Sequence, residues 1–309
     1  MTAPPLLVIA GPTATGKTGL AIALAESLRA AGTAAEVISA DSRQVYRGLD
    51  IGTAKPTLEE RRGVPHHGLD LVDPDQPFSV ADFVDHVAAQ LGTIGQGGGL
   101  AILVGGTGLY LRAVARGLDT AALPSNLAVR AKIEAKMTEF GVAAGAARLT
   151  SLAPNLAARV DLQNPRRVAR ALEIAEIQGD RPLPEPRGYD GPVRWLGLDI
   201  AVGTHRRWIT ERAHAQFDAG LIDEARALRE RFDPALPAFS AIGYAEAWAF
   251  LDGAIDREAA IERDATRNIG FAKRQRTWFR REPDVEWLDP SAGDPLPRAT
   301  ELARALLDS

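Results

Sequence analysis

Gly11-Pro12-Thr13-Ala14-Thr15-Gly16-Lys17-Thr18 matches the pattern G-x-x-x-x-G-K-[ST] at every fixed position. The chemistry such a segment serves is the holding of a di- or triphosphate. Its glycines let successive backbone N–H groups turn inward around phosphate oxygens, and the helix that follows aims its positive end at the anion. Lys17 adds a mobile cation, and the Thr18 hydroxyl is placed to hold Mg²⁺. The pattern does not say which phosphate compound is bound, because ATPases, GTPases and kinases all use nucleotide-binding loops of this type. Those enzymes normally carry a further aspartate at the end of an apolar strand. Here the apolar run Leu100 to Val104 leads into Gly105-Gly106-Thr107-Gly108 with no carboxylate, which argues against an ordinary nucleoside triphosphatase. Asp41 is the acid that directly follows an early apolar run, a candidate for either Mg²⁺ ligation or base catalysis.

Two basic segments could meet nucleic acid. Lys273-Arg274-Gln275-Arg276-Thr277-Trp278-Phe279-Arg280-Arg281 interleaves five cations with two aromatics. Asn164-Pro165-Arg166-Arg167, with Arg170, opens a helix-like stretch. Arginine pairs with phosphate or stacks on bases, and Trp278 or Phe279 could stack as well. The same run also suits a solvated helix face, and Trp278 is expected to pack inward. The adjacent His66-His67 pair lies in a predicted loop without other ligand-type residues at fixed spacing, so it reads as structural rather than metal-binding.

The elements that must position these groups follow from the apolar pattern. Leu6 to Ala10, Glu36 to Ala40 and Leu100 to Val104 are short continuous apolar runs, the mark of strands buried on both faces. Alternation with helical stretches such as Gly19 to Ala25 predicts an α/β fold of the P-loop type, a doubly wound parallel sheet. Ligands of such sheets bind beyond the carboxyl ends of the strands, so the loops at Gly11, Asp41 and Gly105 should converge. From about Thr120 the chain becomes rich in Ala, Arg, Leu and Glu at helical spacing, with Ala169 to Ala175 the clearest helix. This predicts a mostly helical insertion domain over 119–192, between a first core segment, 1–118, and a return to the core, 193–309. Gly179 and the Pro/Gly-rich stretch Arg181 to Pro192 form the expected exit. Val193 to Ile200 and Val285 to Leu288 read as later strands, and 204–231 and 243–281 as helical.

At 309 residues, 46% hydrophobic and 25% charged, the chain has the composition of an ordinary globular protein. It has no uncharged apolar run long enough for a membrane span, no secretory pattern at its start and no cysteine. These features exclude disulfides and thiolate catalysis, and the expected setting is the cytoplasm, without membrane contact. A net charge of −4 gives no overall attraction for polyanions, so a nucleic-acid contact must be local. Nothing resembles an assembly interface, so a monomer is expected.

Several blocks together resemble one known family. They are Gly11 to Thr18, Ile38-Ser39-Ala40-Asp41-Ser42-Arg43-Gln44-Val45-Tyr46, Asp50 to Pro56, Pro65-His66-His67, Leu103 to Tyr110 and Lys273-Arg274-Gln275. In this order, along essentially the whole chain, they are similar to the tRNA dimethylallyltransferase (tRNA isopentenyltransferase) family. The resemblance implies transfer of a dimethylallyl group from dimethylallyl diphosphate to N6 of the adenosine just 3′ of the anticodon, with Mg²⁺ assisting. It implies Asp41 as the base, Lys17 and Gly11 to Thr18 on the diphosphate, Arg212 on the same group, and Thr107 near the target base. It further implies that the anticodon stem-loop is contacted by Asp41, Ser42, Arg43, Gln44, Thr107 and Arg130. Further contacts are implied for Gln163, Asn164, Pro165, Arg166, Arg167, Gly243, Tyr244, Lys273, Arg274, Gln275, Arg276 and Arg280. The chain departs from the family at Ala245, where many members have Arg or Lys, and at Thr15, where Ser is commoner. A small-molecule kinase, a prenyltransferase acting on free adenine nucleotides and a nucleotide-sensing RNA-binding switch are the alternatives. The insertion and the late basic run would be unexplained in the first, and Asp41 in the last.

Overall fold

The computed structural model describes residues 3–120 and 122–309. They form two compact units, Met1–Arg116 with Gly188–Ser309, and Gly117–Arg187. The first unit opens with β1 (Leu6–Ala10), α1 (Lys17–Ala30), β2 (Ala35–Ser39), β3 (His66–His67), α2 (Val80–Gln96), β4 (Leu100–Gly105) and α3 (Gly108–Ala115). The second unit is helical: α4 (Leu127–Phe140), α5 (Val142–Leu152), α6 (Pro154–Ala157) and α7 (Pro165–Gln178). The first unit then resumes with β5 (Val193–Leu198), α8 (Val202–Asp218), α9 (Leu221–Arg231), α10 (Tyr244–Leu251), α11 (Arg257–Phe279), β6 (Val285–Leu288) and α12 (Leu296–Leu307). Residues 188–192 are held against the first unit, Gly188 N donating to Arg116 O and Leu6 N to Pro192 O.

The fold is mixed α/β. All six strands are parallel, in the order β3-β2-β4-β1-β5-β6. Every residue of β1 is fully buried, as its unbroken apolar run requires. Leu6 and Val8 join the core on one sheet face with Phe83, Tyr110 and Phe217, while Leu7 and Ile9 join the other with Leu20, Leu24 and Leu306. Alternation of side chains along a strand divides them this way, and layers on both sheet faces cover both sets. β2, β4 and β1 are neighbours with Ser39 level with Val104, and Gly105 level with Ala10. The loops leaving these three strands therefore start side by side.

Some elements differ from the sequence reading. His66-His67 is a two-residue edge strand paired with Val37 and Ile38, not a loop. The helical stretch 204–231 is broken at Ala219-Gly220, where Gly220 takes φ 104°. The stretch 243–281 divides into α10 and α11, with Asp256 accepting from Ala259 N to start the second. Among the described residues no helix is long and apolar enough to cross a membrane.

Candidate active site

The segment between β1 and α1 folds over the end of the sheet. Gly11 sits at φ 145°, and a Cβ there would lie 2.3 Å from Leu198 O, so only glycine lets the loop cross β5. Within the loop, the Thr15 hydroxyl donates to Pro12 O at 2.9 Å, and Lys17 Nζ donates to the same carbonyl. Gln275, from α11, joins this loop to the next: Thr13 N donates to its Oε1 at 2.8 Å, and its Nε2 donates to Gly106 O at 2.9 Å.

The second loop, after β2, carries Asp41. Its carboxylate is half-buried and accepts from Arg43 N at 2.8 Å. Ser42 N donates to the Thr107 hydroxyl at 3.0 Å and Thr107 N to Ala40 O at 3.2 Å, which binds the β2 loop to the β4 loop. Gly105 permits that approach, since a Cβ there would meet Ala40 O at 2.2 Å.

Arg212, on α8, completes the ring. It and Lys17, Thr18, Asp41, Gly106 and Gln275 line one cavity of about 240 Å³, walled also by Val104, Ala54 and Phe271. Arg212 Nη2 reaches Asn268 Oδ1 at 3.4 Å, and its Nε is buried without a partner. Burial disfavours the Arg212 charge, against the attraction of Asp264 and Asp41. The Lys17 ammonium is held down to about 7, first by burial and then by the Arg212 charge, with Asp41 opposing. Two cations crowded into a buried cavity, one with an orphaned N–H, make a place that favours a multiply charged anion. Behind Arg212, burial and the Glu246 charge push Asp264 up to about 6, against the hydrogen bond from Asn268.

The three loops expected to converge do so, and Gly11 to Thr18, Asp41 and Arg212 meet around the cavity or its rim. Thr107 lies one hydrogen bond away through Ser42. The expected RNA contacts divide. Lys273, Arg274 and Arg280 are exposed, as are Gln163, Pro165, Arg166 and Arg167 in the helical unit. Asn164 spends its side chain capping α7, accepting from Arg167 N. Arg130 is paired with Glu173, Nε to Oε2 at 2.8 Å. Arg43 donates to Pro237 O and to the Ser240 hydroxyl.

Five expected contacts are turned inward from the outer surface, and of these Gln44 and Gln275 line the cavity. Gln44 is buried, accepting from the Ser39 hydroxyl and donating to Thr53 O and Ala54 O. Tyr244 is fully buried, its hydroxyl donating to Glu224 Oε1 at 2.8 Å. Gly243, at φ 109°, is packed under Leu221 and Asp264. Gln275 is committed to the two loops, and Arg276 to Asp199, Ile200 O and His205. Phe279 is fully buried and cannot stack on a base. Trp278 packs inward as expected, beneath the Arg112 guanidinium at 4.7 Å and against Gly108.

The sequence reading missed Glu224 and Gln216. The Glu224 carboxylate accepts from the amides of Asp50, Ile51 and Gly52, and Gln216 Nε2 donates to Ile51 O and Gly52 O. Together they set the loop whose Thr53 and Ala54 wall the cavity. No local pattern announces either role.

Comparison with known proteins agrees with this architecture. The family model for IPP transferase matches residues 44–282, and that for isopentenyl transferase matches 4–70. A tRNA dimethylallyltransferase of Roseiflexus sp. (strain RS-1) is 42% identical over 311 residues, covering 99% of both chains. The crystal structure of a tRNA isopentenylpyrophosphate transferase from Bacillus halodurans superposes with TM-score 0.70 at 38% identity, covering 98% of this chain and 96% of that one. A eukaryotic dimethylallyltransferase acting on tRNA superposes with TM-score 0.76 at 26% identity, over 98% and 77% of the two chains.

Proposed function

The chain belongs to the IPP transferase family, the family of the tRNA dimethylallyltransferases, and from that premise we propose its reaction. It transfers a dimethylallyl group from dimethylallyl diphosphate to N6 of the adenosine 3′-adjacent to the anticodon in tRNA. The observation that carries this reading is a single cavity shared by the Gly11–Thr18 loop, Lys17, Arg212 and Asp41, with no carboxylate at the end of β4.

The Gly11–Thr18 segment acts as a phosphate loop of the P-loop type, directed at a diphosphate rather than a transferable phosphoryl group. Its amides and Lys17 take the phosphate oxygens, and the partnerless Arg212 Nε–H supplies another donor. The C1–O bond of the donor breaks as the N6–C1 bond forms, and the electron pair leaves with diphosphate. Cations already fixed around the leaving group stabilise that charge where it develops. N6 of adenine is a poor nucleophile, and Asp41 on the cavity rim accepts its proton.

Mg²⁺ fits the residues present. Among the described residues no group of three or more His, Asp or Glu is arranged to hold a metal alone. Mg²⁺ does not need one, since it keeps waters and substrate phosphates and takes one or two protein oxygens. Thr18, which lines the cavity, would hold it, and the ion would supply charge opposite the departing diphosphate.

A stacked adenosine must leave the anticodon loop to reach Asp41, at a cost of a few kcal/mol that contacts to flanking nucleotides offset. Lys273, Arg274 and Arg280 in the first unit are exposed cations suited to that task; the helical unit by itself exposes Arg166 and Arg167. The helical unit serves as the insertion domain that binds tRNA. The enzyme works as a cytoplasmic monomer. Incubation with labelled dimethylallyl diphosphate, Mg²⁺ and unmodified tRNA should place label in the RNA. Label in free AMP instead, or phosphate transfer from ATP, would contradict this function.

A further inference from the structure

Thr13, at the crest of the Gly11–Thr18 loop, is gripped on both sides of its peptide unit. Its amide donates to Gln275, and its carbonyl lies 2.7 Å from His205 Nε2. His205 is on the first turn of α8 and only 2% exposed. Its other ring nitrogen, Nδ1, lies 2.9 Å from Arg276 Nη2. Arg276 is itself fixed, donating from Nε to Asp199 Oδ1 at 2.7 Å and from Nη2 to Ile200 O at 3.0 Å.

These contacts determine the tautomer. A guanidinium only donates, so Nδ1 must be the acceptor; a carbonyl only accepts, so Nε2 must carry the hydrogen. Only the neutral Nε2–H imidazole satisfies both neighbours. A proton on Nδ1 would face the Arg276 N–H head-on. We propose that His205, oriented by Arg276 and Asp199, is a positioning residue that holds Thr13 so that the loop's amides face the donor diphosphate, and that acidification opens this grip. The inference rests on the reading of the loop as a diphosphate site.

The charged groups around the ring are Arg276 from α11, Asp199 after β5 and Lys17 from α1. Burial keeps His205 below the usual histidine range. The Thr13 carbonyl opposes that shift, the Arg276 charge adds to it, Asp199 opposes it and Lys17 adds to it. The grip therefore holds at neutral pH and loosens only at a pH below the usual histidine range.

Binding of inorganic diphosphate to the full chain, measured by calorimetry from pH 5 to 8, tests this. His205→Gln keeps both contacts, its Oε1 accepting from Arg276 and its Nε2 donating to Thr13, but cannot titrate. At pH 8 it should bind within twofold of wild type, while His205→Ala binds about tenfold more weakly, the loss expected for one hydrogen bond. As the pH falls, wild type should weaken relative to His205→Gln by up to tenfold per pH unit, and the ratio cancels protonation of the ligand and of Lys17. In turnover, His205→Ala should raise the donor KM with kcat within twofold of wild type. A flat ratio between wild type and His205→Gln, or alanine binding within twofold, overturns the proposal while leaving the diphosphate site intact. No diphosphate binding by wild type at any pH overturns the site and the proposal together. Ring ¹⁵N NMR of wild type should report the Nε2–H form; an Nδ1–H form would refute the relay independently of any variant.

Discussion

Binding of a diphosphate should draw a proton onto Lys17. In the free protein burial, reinforced by Arg212 and opposed by Asp41, holds its ammonium down to about 7. A multiply charged anion in the same cavity favours the protonated form and returns it towards the ordinary 10.5. At pH 8 only about 9% of the free protein carries that proton and nearly all of the complex does, so binding takes up about 0.9 proton at this residue. The free value lies below the bound one, so affinity falls as pH rises above about 7, by about tenfold or 1.4 kcal/mol per pH unit. Calorimetry at pH 8 in buffers of different ionisation enthalpy measures the uptake. The same titration with Lys17→Met removes the lysine's share while keeping the protons exchanged by the ligand. A difference near 0.9 proton between the two is expected; a difference near zero, with the variant still binding, would mean that Lys17 gains no proton from the bound anion.

Asp41→Asn should lower single-turnover prenylation by at least about a hundredfold while changing donor affinity little, as loss of a proton acceptor requires. Paired replacement Lys273→Ala and Arg274→Ala should weaken tRNA binding and reduce its salt slope by about one to two, with diphosphate affinity within about twofold. Gly11→Ala puts a Cβ 2.3 Å from Leu198 O at φ 145°, so it should cost about 3 kcal/mol and lower the Tm by about 10 °C in a thermal melt.

The part of this molecule that could be read from sequence is the part encoded locally. An unbroken apolar run followed by G-x-x-x-x-G-K-[ST] specifies strand, loop and helix within 25 residues, and the structure places β1 and α1 there. The loops that carry Asp41 and Thr107 come together because parallel strands deliver them to one edge. The missed pieces depend on contacts across the chain. Glu224 and Gln216 act on residues 50–52, more than 160 positions away, and only the assembled fold brings them together. The start of α2, absent from the sequence reading, carried a local signal that was overlooked: Ser79 and Asp82 form a capping box at the i, i+3 spacing. The inward turn of Gln275 and Phe279 was legible too. Ile261, Ala265, Asn268, Ala272, Gln275 and Phe279 recur every three or four residues and form the buried stripe of α11. The density of charge around them hid that periodicity; of the basic segment, Lys273, Arg274, Arg280 and Arg281 are exposed, while Arg276 is turned inward.

The most direct test of the account is a crystal structure with an unreactive thiodiphosphate analogue of the prenyl donor. Its two phosphates should lie against the Gly11–Thr18 amides, within hydrogen-bond reach of Lys17 Nζ and the Arg212 guanidinium, with the allylic carbon facing Asp41. An analogue seated elsewhere, or one whose carbon end points away from Asp41, would contradict it.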